Sequence, residues 1–204
     1  AFYNRKLKPS NKGKFPDAVR VAIKLAKIYS KDKRIEKSKI FYTGFSYGSA
    51  QVLKFQDSRI QSQNPFRAGV AAEPGCNIVS NPAKTNFATL MIKGEESHYY
   101  PIACETYYKM IKKVGNKIEY VSIPKVNHFF SLNGKIGKGK AVNGCSKNIL
   151  IRYSDGSFRF QDGTPSDRRG RFKCFTEESA GGEKNRAKLN HAINLSLNFL
   201  DKYK

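Results

Sequence analysis

The stretch Lys39-Ile-Phe-Tyr-Thr-Gly-Phe-Ser-Tyr-Gly-Ser-Ala50 decides the fold. Its first five residues are mostly apolar, β-branched or aromatic, which predicts a strand over 39–43. The five residues that follow, Gly44 to Gly48, fit the pattern Gly-x-Ser-x-Gly, and a helix is predicted to begin at Gly48. A serine on a sharp turn from strand to helix is typical of a catalytic nucleophile. Ser46 is therefore the candidate nucleophile, and the alternative is an ordinary serine in a glycine-flanked turn.

The same turn offers a place for negative charge. The helix N-terminus behind Ser46 favours an anion, because its first backbone N–H groups have no partner within the helix. The backbone N–H of Tyr47 is therefore the candidate oxyanion donor. The sharp turn also predicts small neighbours, and Gly44 and Gly48 meet that need.

Predicted strands and helices alternate along the rest of the chain. The strands are apolar on both faces, which is typical of a parallel sheet covered by helices. The sequence thus predicts an α/β fold. A stretch rich in glycine and charge, 134–182, is expected to be an excursion before the last helix. The further predicted strands are 66–72, 87–92 and 117–123, and the further helices are 16–30, 99–114 and 186–202.

A histidine follows the last of these strands. His128 lies in Ile123-Pro-Lys-Val-Asn-His-Phe-Phe130, which places it at the same edge of the sheet as Ser46. A serine needs a base to become a good nucleophile, so His128 is the candidate general base. His98, in a loop, and His191, inside the closing helix, are poorer candidates. The alternative is that His128 is a structural loop residue.

The acid that orients such a histidine is expected after the strand 87–92. The segment there contains two carboxylates, Glu95 and Glu96. Either could hold the imidazole in position and stabilise its charged form. The alternative is that both are solvated loop acids.

Composition limits the other classes of function. The formal net charge is +22, but the lysines are scattered and no nucleic-acid-binding motif is present, so we expect a solvated basic surface and no specific nucleic-acid partner. The sequence contains no run of eighteen apolar residues, so no membrane span is predicted. The four cysteines form no CxxC pair and there are only three histidines, so no zinc site is expected.

Three motifs together resemble the dienelactone hydrolase family of α/β-hydrolases. The approach to the nucleophile from Asp32 to Ala50 is similar to that family's. So are Leu90-Met-Ile-Lys-Gly-Glu-Glu-Ser-His-Tyr-Tyr-Pro101, the acid-bearing segment, and Pro124-Lys-Val-Asn-His-Phe-Phe130, the histidine loop. The resemblance runs from about Asp17 to the C-terminus. It implies one α/β-hydrolase domain over 1–204, with the excursion at 134–182.

The resemblance also implies an activity and a compartment. It implies hydrolysis of a small carboxylic ester, thioester or lactone through an acyl-enzyme on Ser46, without a cofactor. Some members carry cysteines that match Cys76 and Cys104, which implies a disulfide between them and leaves Cys145 and Cys174 as a second pair. Two disulfides favour a periplasmic or secreted protein over a cytoplasmic one.

The sequence departs from the family at two places. The position of the family's acid, three residues after Gly94, is occupied by Ser97, so we expect the adjacent Glu96 to act instead. The family also has several strands before the nucleophile strand, and the loop that supplies the second oxyanion donor lies among them. We therefore expect a C-terminal portion of a longer protein. The alternative function is a catalytically inactive member that binds anionic surfaces, and the sequence leaves the oligomeric state open.

Overall fold

The structure is a computed structural model that describes residues 17–131 and 133–204. Within these residues the five α-helices are α1 (Ala18–Tyr29), α2 (Tyr47–Leu53), α3 (Ser58–Gln61), α4 (Pro101–Lys113) and α5 (Arg186–Asp201). The strands are β1 (Phe41–Phe45), β2 (Ala68–Ala72), β3 (Ile78–Ser80), β4 (Ala88–Gly94), β5 (Ile118–Ile123), β6 (Gly134–Ala141), β7 (Leu150–Arg152), β8 (Phe158–Phe160), β9 (Pro165–Ser166) and β10 (Thr176–Gly182). Short 3-10 turns cover Lys37–Lys39, Lys54–Gln56, Asn143–Cys145 and Arg168–Cys174.

The central sheet has the strand order β1-β2-β4-β5, and each pair of neighbouring strands in it is parallel. Helices α2 and α3 separate β1 from β2, and α4 separates β4 from β5, whereas only β3 lies between β2 and β4. The predicted α/β class with a parallel sheet is therefore confirmed, and all eight predicted elements are found within two residues of their expected bounds, except that Pro16, at the predicted start of α1, lies outside the described residues. Because the strands are parallel, the loops that follow them meet at one edge of the sheet.

Helices cover both faces of this sheet. Met91 of β4 packs with the buried side of α1, α2 and α4 on one face, whereas Leu90 and Ile92 pack with α5 on the other. Successive side chains of a strand point to opposite faces, so the apolar residues of β4 serve both layers. All seven of its residues are buried, which makes β4 the centre of the fold.

Helix ends follow the sequence signals. The side chain of Asp17 accepts hydrogen bonds from the N–H groups of Val19, at 2.9 Å, and Arg20, at 3.2 Å, and so caps α1. Pro101 occupies the first turn of α4, where its missing N–H costs no hydrogen bond.

The buried side of α5 differs from the predicted one. The spacing of Leu189, Ile193, Leu197 and Leu200 suggests a single apolar side, yet Ile193 is 44% exposed and Leu197 54% exposed. The buried residues are Ala192 and Phe199, which lie seven positions apart. A small alanine lets the helix approach the sheet closely, and the large phenylalanine fills the space beyond it.

The excursion at 134–182 is more ordered than the sequence suggests. Its ends, β6 and β10, form an antiparallel ribbon. Its middle supplies β7, β8 and β9, which form a second sheet with β3. The two expected disulfides, Cys76–Cys104 and Cys145–Cys174, are both present. Among the described residues, none of the helices is long and apolar enough to cross a membrane.

Candidate active site

Ser46 lies on a sharp turn between β1 and α2. Its φ of 52° is in the left-handed region that few residues other than glycine adopt. The turn is held because the N–H of Ser46 donates to the carbonyl of Ala72, at 2.9 Å, and the N–H of Ser49 donates to the carbonyl of Ser46, at 3.0 Å. The local strain is typical of functional sites, where the surrounding structure maintains it.

The two glycines of the motif play different parts in this turn. A Cβ on Gly44 would lie 2.7 Å from the backbone nitrogen of Ser49, so only glycine fits there. A Cβ on Gly48 would meet nothing within 4 Å. The prediction that both positions must be small is therefore right for Gly44 and wrong for Gly48 in the described surroundings.

His128 contacts Ser46 as the sequence predicts. It follows β5 and is nearly buried, and its Nε2 lies 2.9 Å from the Oγ of Ser46. The hydroxyl can donate its proton to Nε2 along this contact. The candidate nucleophile and its candidate base, 82 positions apart in the chain, thus meet at the carboxyl edge of the sheet.

The acid beside His128 is Glu73. Its Oε2 lies 3.1 Å from Nδ1 of His128, and its side chain is fully buried. Since an ionised carboxylate only accepts hydrogen bonds, Nδ1 carries the proton of the neutral ring and Nε2 is left free to accept from Ser46. Glu73 directly follows β2 and, like Ser46, has a left-handed φ, here 54°.

The structure corrects the predicted acid. Glu95 and Glu96 are both exposed, and His128 Nδ1 is paired with Glu73 instead of Glu96. The backbone of this loop is fixed because the N–H of Glu96 donates to the carbonyl of Val126, at 2.9 Å, which leaves the side chain in solvent. Ser97, at the expected position of the acid, is buried and donates to Glu73 Oε2 at 2.9 Å.

A signal for Glu73 was present in the sequence. It is the first residue after the predicted strand 66–72, at the same sheet edge where Ser46 and His128 were placed. The rule that parallel strands bring their carboxyl ends together applies to it as well. Glu73 also lies between Ser46 and His128 in the chain, which fits the order nucleophile, acid and histidine.

Glu73 is part of a buried charge network. Lys93 is fully buried on β4, and its Nζ donates to Glu73 Oε2 at 3.0 Å, to Ser97 Oγ at 2.8 Å and to the carbonyl of Pro74 at 3.1 Å. The N–H of Gly94 donates to Glu73 Oε1. Burial alone would raise the pKa of Glu73, but the His128 hydrogen bond and the Lys93 charge hold that pKa below its ordinary value.

Aromatic rings surround the histidine. Burial and the nearby charges of His128 and Lys93 lower the pKa of His98 to about 4, so this ring is neutral at pH 7. Phe130, two residues after His128, is buried in the core against α5. The rings whose centroids lie 4.9–5.5 Å from that of His128 are His98, Tyr99, Phe45 and Phe129.

The excursion fastens two of the loops at this edge. Asn127, beside His128, donates from Nδ2 to the carbonyl of Gly181 in the ribbon, at 3.1 Å. Asn143 donates to the carbonyl of His98 at 2.7 Å and accepts from the N–H of Tyr100 at 3.1 Å. The excursion therefore adjoins the site at both the histidine loop and the loop after β4. The described residues contain no group of three or more His, Cys, Asp or Glu placed to hold a metal ion.

Comparisons with known proteins give partial likenesses only. Neither a protein-family model nor a curated protein matches the sequence. Among solved structures, the chain is similar to Thermogutta terrifontis esterase 2, with 14% identity and a TM-score of 0.44 over 55% of this chain and 54% of that one. A puromycin hydrolase is similar with 12% identity and a TM-score of 0.43, over 54% of this chain and 22% of that one. A Pyrococcus horikoshii acylaminoacyl peptidase is similar with 11% identity and a TM-score of 0.42, over 51% of this chain and 22% of that one.

The chain thus spans about half of the esterase and about a fifth of the other two proteins. These proteins are an esterase, a hydrolase and a peptidase by name, so the resemblance to dienelactone hydrolases stays a prediction. The α/β-hydrolase-like fold class itself agrees with the parallel sheet and with the strand, turn and helix around Ser46.

Proposed function

We propose that this protein is a serine hydrolase that cleaves a small carboxylic ester, thioester or lactone. The observation that carries the proposal is the unbroken chain of contacts from Ser46 Oγ to His128 Nε2, at 2.9 Å, and from His128 Nδ1 to Glu73 Oε2, at 3.1 Å. A nucleophile, a base and a buried acid in this order make up the catalytic triad of acyl-transfer enzymes.

The proposed reaction has two halves. Ser46 Oγ attacks the substrate carbonyl while His128 Nε2 takes its proton, and the resulting imidazolium is stabilised by Glu73. The oxygen that becomes negative is bound by the Tyr47 N–H, which lies at the first position of α2 and has no partner within the helix. His128 then protonates the leaving alcohol, thiol or lactone oxygen. A water molecule, activated by His128, hydrolyses the acyl-enzyme.

Glu73 also bears on the alternative of an inactive binding protein. Part of the case for that alternative is the missing family acid at Ser97, and the Glu73 carboxylate, which follows β2, lies beside His128 and weakens that part. The net charge of +22 still allows weak attraction to anionic surfaces. The two disulfides suit an oxidising compartment, which we propose to be periplasmic or extracellular.

The proposal is tested by p-nitrophenyl acetate hydrolysis and by fluorophosphonate labelling. Wild-type protein is expected to turn over the ester and to gain the mass of the phosphonyl group on Ser46. The variant Ser46→Ala should fall to background in both assays, whereas Ser62→Ala, a change at an exposed serine, should match wild type. A folded wild type that neither hydrolyses the ester nor takes the label would overturn the proposal.

Salt dependence separates the hydrolase from the binding protein. Hydrolysis of a neutral ester should change little between 50 and 200 mM salt, whereas binding to a polyanion weakens by orders of magnitude, about 10³-fold or more, over that range. Tight binding to anionic vesicles together with absent hydrolysis would favour the alternative.

A further inference from the structure

We infer that Lys93 and Ser97 are positioning residues of the site: they hold Glu73 as a carboxylate and thereby set the pH below which His128 stops acting as a base. The inference rests on the proposed roles of Ser46 and His128. It concerns two residues that contact neither substrate nor nucleophile and act through Glu73.

The first observation is the saturation of the carboxylate. Oε2 of Glu73 accepts from Lys93 Nζ at 3.0 Å, Ser97 Oγ at 2.9 Å and His128 Nδ1 at 3.1 Å, and Oε1 accepts from the N–H of Gly94. A protonated carboxyl would have to give up one of these acceptor positions to hold its own hydrogen. The surroundings are therefore built for the ionised form of Glu73.

The second observation is the saturation of the ammonium group. Lys93 has three N–H donors and three acceptors, on Glu73, Ser97 and Pro74, at 2.8–3.1 Å. A neutral amine would have one hydrogen fewer and would leave one acceptor without a donor. Burial lowers the pKa of Lys93 below its ordinary value and the charge of Glu73 opposes that shift, so the two ions depend on each other.

Ser97 links the pair. Its hydroxyl accepts from Lys93 Nζ and from the N–H of Tyr99, at 3.4 Å, and donates to Glu73 Oε2. The hydroxyl has one donor and two acceptor positions, and all three are occupied, so its proton points to Glu73. Ser97 therefore fixes which oxygen of Glu73 receives the bonds, and that is the oxygen that contacts His128.

The consequence is electrostatic. A carboxylate without a counter-ion would stabilise the imidazolium strongly, and the site would hold its extra proton up to a higher pH. The neighbouring ammonium cancels part of this field. Because Glu73 and His128 are in direct contact, the extra proton belongs to the pair as a whole. Removal of the Lys93 charge therefore favours the protonated pair, whichever of the two residues carries the proton.

Other groups near the pair do not replace this cation. His98 is neutral above about pH 4, and burial raises the pKa of Tyr120 far above neutrality, so both rings are uncharged at pH 7. Tyr99 faces the Lys93 ammonium with its ring, at 5.8 Å. Three acids contribute fields from other elements: Glu178 acts on His98, and Glu95 and Glu105 act on Tyr120.

The test is the titration of His128 in Lys93→Met, followed by ¹⁵N NMR of the imidazole and by the acidic limb of the kcat/KM profile. Loss of a contacting opposite charge moves a carboxylate titration by about 1 to 3 pH units. We expect the transition in Lys93→Met to move upward by that range. Lys125→Met, which removes an exposed charge near the same loop, should leave it unchanged. An unmoved transition in folded Lys93→Met would overturn the inference.

Ser97→Ala covers the case in which Lys93→Met does not fold, because it removes a donor to Glu73 without burying an unpaired charge. The transition should move upward by less than in Lys93→Met, and an unchanged midpoint would overturn the inference. The NMR readout needs no turnover. Failure of fluorophosphonate labelling would thus contradict the proposed hydrolase function, and the titration would still decide the role of Lys93.

Discussion

The loop after β2 and the loop after β4 lie side by side at the carboxyl edge of the sheet, because their strands pair in parallel register. Both carry glutamate. In the first loop Glu73 is fully buried against His128, whereas in the second Glu95 and Glu96 are exposed. Lys93, near the end of β4, and Ser97, in the second loop, donate to Glu73 instead.

The difference shows that proximity to the correct strand is not sufficient for an acid. A buried carboxylate is stable only with donors on its oxygens, and the two loops share that task. The loop after β2 provides the anion, the end of β4 provides the cation and the Gly94 N–H, and the loop after β4 provides the hydroxyl. The disulfide Cys76–Cys104 then ties the first loop to the helix that follows the second.

The largest expected effect separates the two acids. Glu73→Gln should lower kcat/KM by about 10⁴-fold, as loss of the triad acid does elsewhere, because the amide no longer selects the Nδ1–H tautomer. Glu96→Gln should stay within twofold of wild type. Ester hydrolysis by both variants is the measurement, and equal losses would contradict the assignment of Glu73.

A folding control is needed for that pair, because Glu73→Gln leaves Lys93 buried without its partner. That change should reduce the free energy of unfolding by about 3–5 kcal/mol. The double variant Glu73→Gln/Lys93→Met should recover much of this loss without recovering activity. Urea denaturation measures the recovery.

Breaking the disulfide that ties the loop after β2 to α4 is expected to have the next largest effect. Cys76→Ala/Cys104→Ala opens a link across 28 positions and should reduce the free energy of unfolding by about 3–4 kcal/mol through chain entropy. Cys145→Ala/Cys174→Ala, of nearly equal span, should cost a similar amount and leave the distance between the two loops unaffected. A greater loss of activity in the second pair would contradict the link between the disulfide Cys76–Cys104 and the site.

Two glycines sharpen the comparison further. A Cβ on Gly94 would lie 3.0 Å from Glu73 Oε1 and 2.5 Å from the carbonyl oxygen of Val126, whereas one on Gly75 would meet nothing within 4 Å. Gly94→Ala should therefore cost about 1–3 kcal/mol of stability, and Gly75→Ala less than about 0.5 kcal/mol. Thermal denaturation distinguishes them, and similar midpoints would show that the two loops are not packed as described.

The smallest effect is a pH dependence of stability. The folded-state pKa of Glu73 is lowered, so its contribution is present above its unfolded pKa of about 4.3 and is lost as the pH falls through the folded value. The free energy of unfolding should thus fall below about pH 4, by at most about 1.4 kcal/mol per pH unit for this proton. Denaturation between pH 2 and 7 should give a flatter curve for Glu73→Gln/Lys93→Met, and the wild-type slope for Glu96→Gln.

Local patterns predict the elements well, because strands buried on both faces and helices with strong caps leave clear periodicities. They also predict the meeting of Ser46 and His128, since both follow parallel strands. The acid is harder to predict because selecting Glu73 over Glu96 depends on burial and on Lys93, 20 positions away. An apolar strand with one lysine does not reveal which carboxylate the lysine pairs with. The ribbon and second sheet of the excursion depend on pairing between distant segments, which short-range periodicity does not contain.

Ser46 and Glu73 share one further property, the left-handed backbone of two residues that are not glycine. Each such residue costs about 1–3 kcal/mol relative to an ordinary conformation. Glycine at either position would relax the chain and remove the reactive group. A laboratory selection for thermostability alone would therefore favour variants that are more stable but inactive. A screen that also selects for turnover is needed to retain both residues.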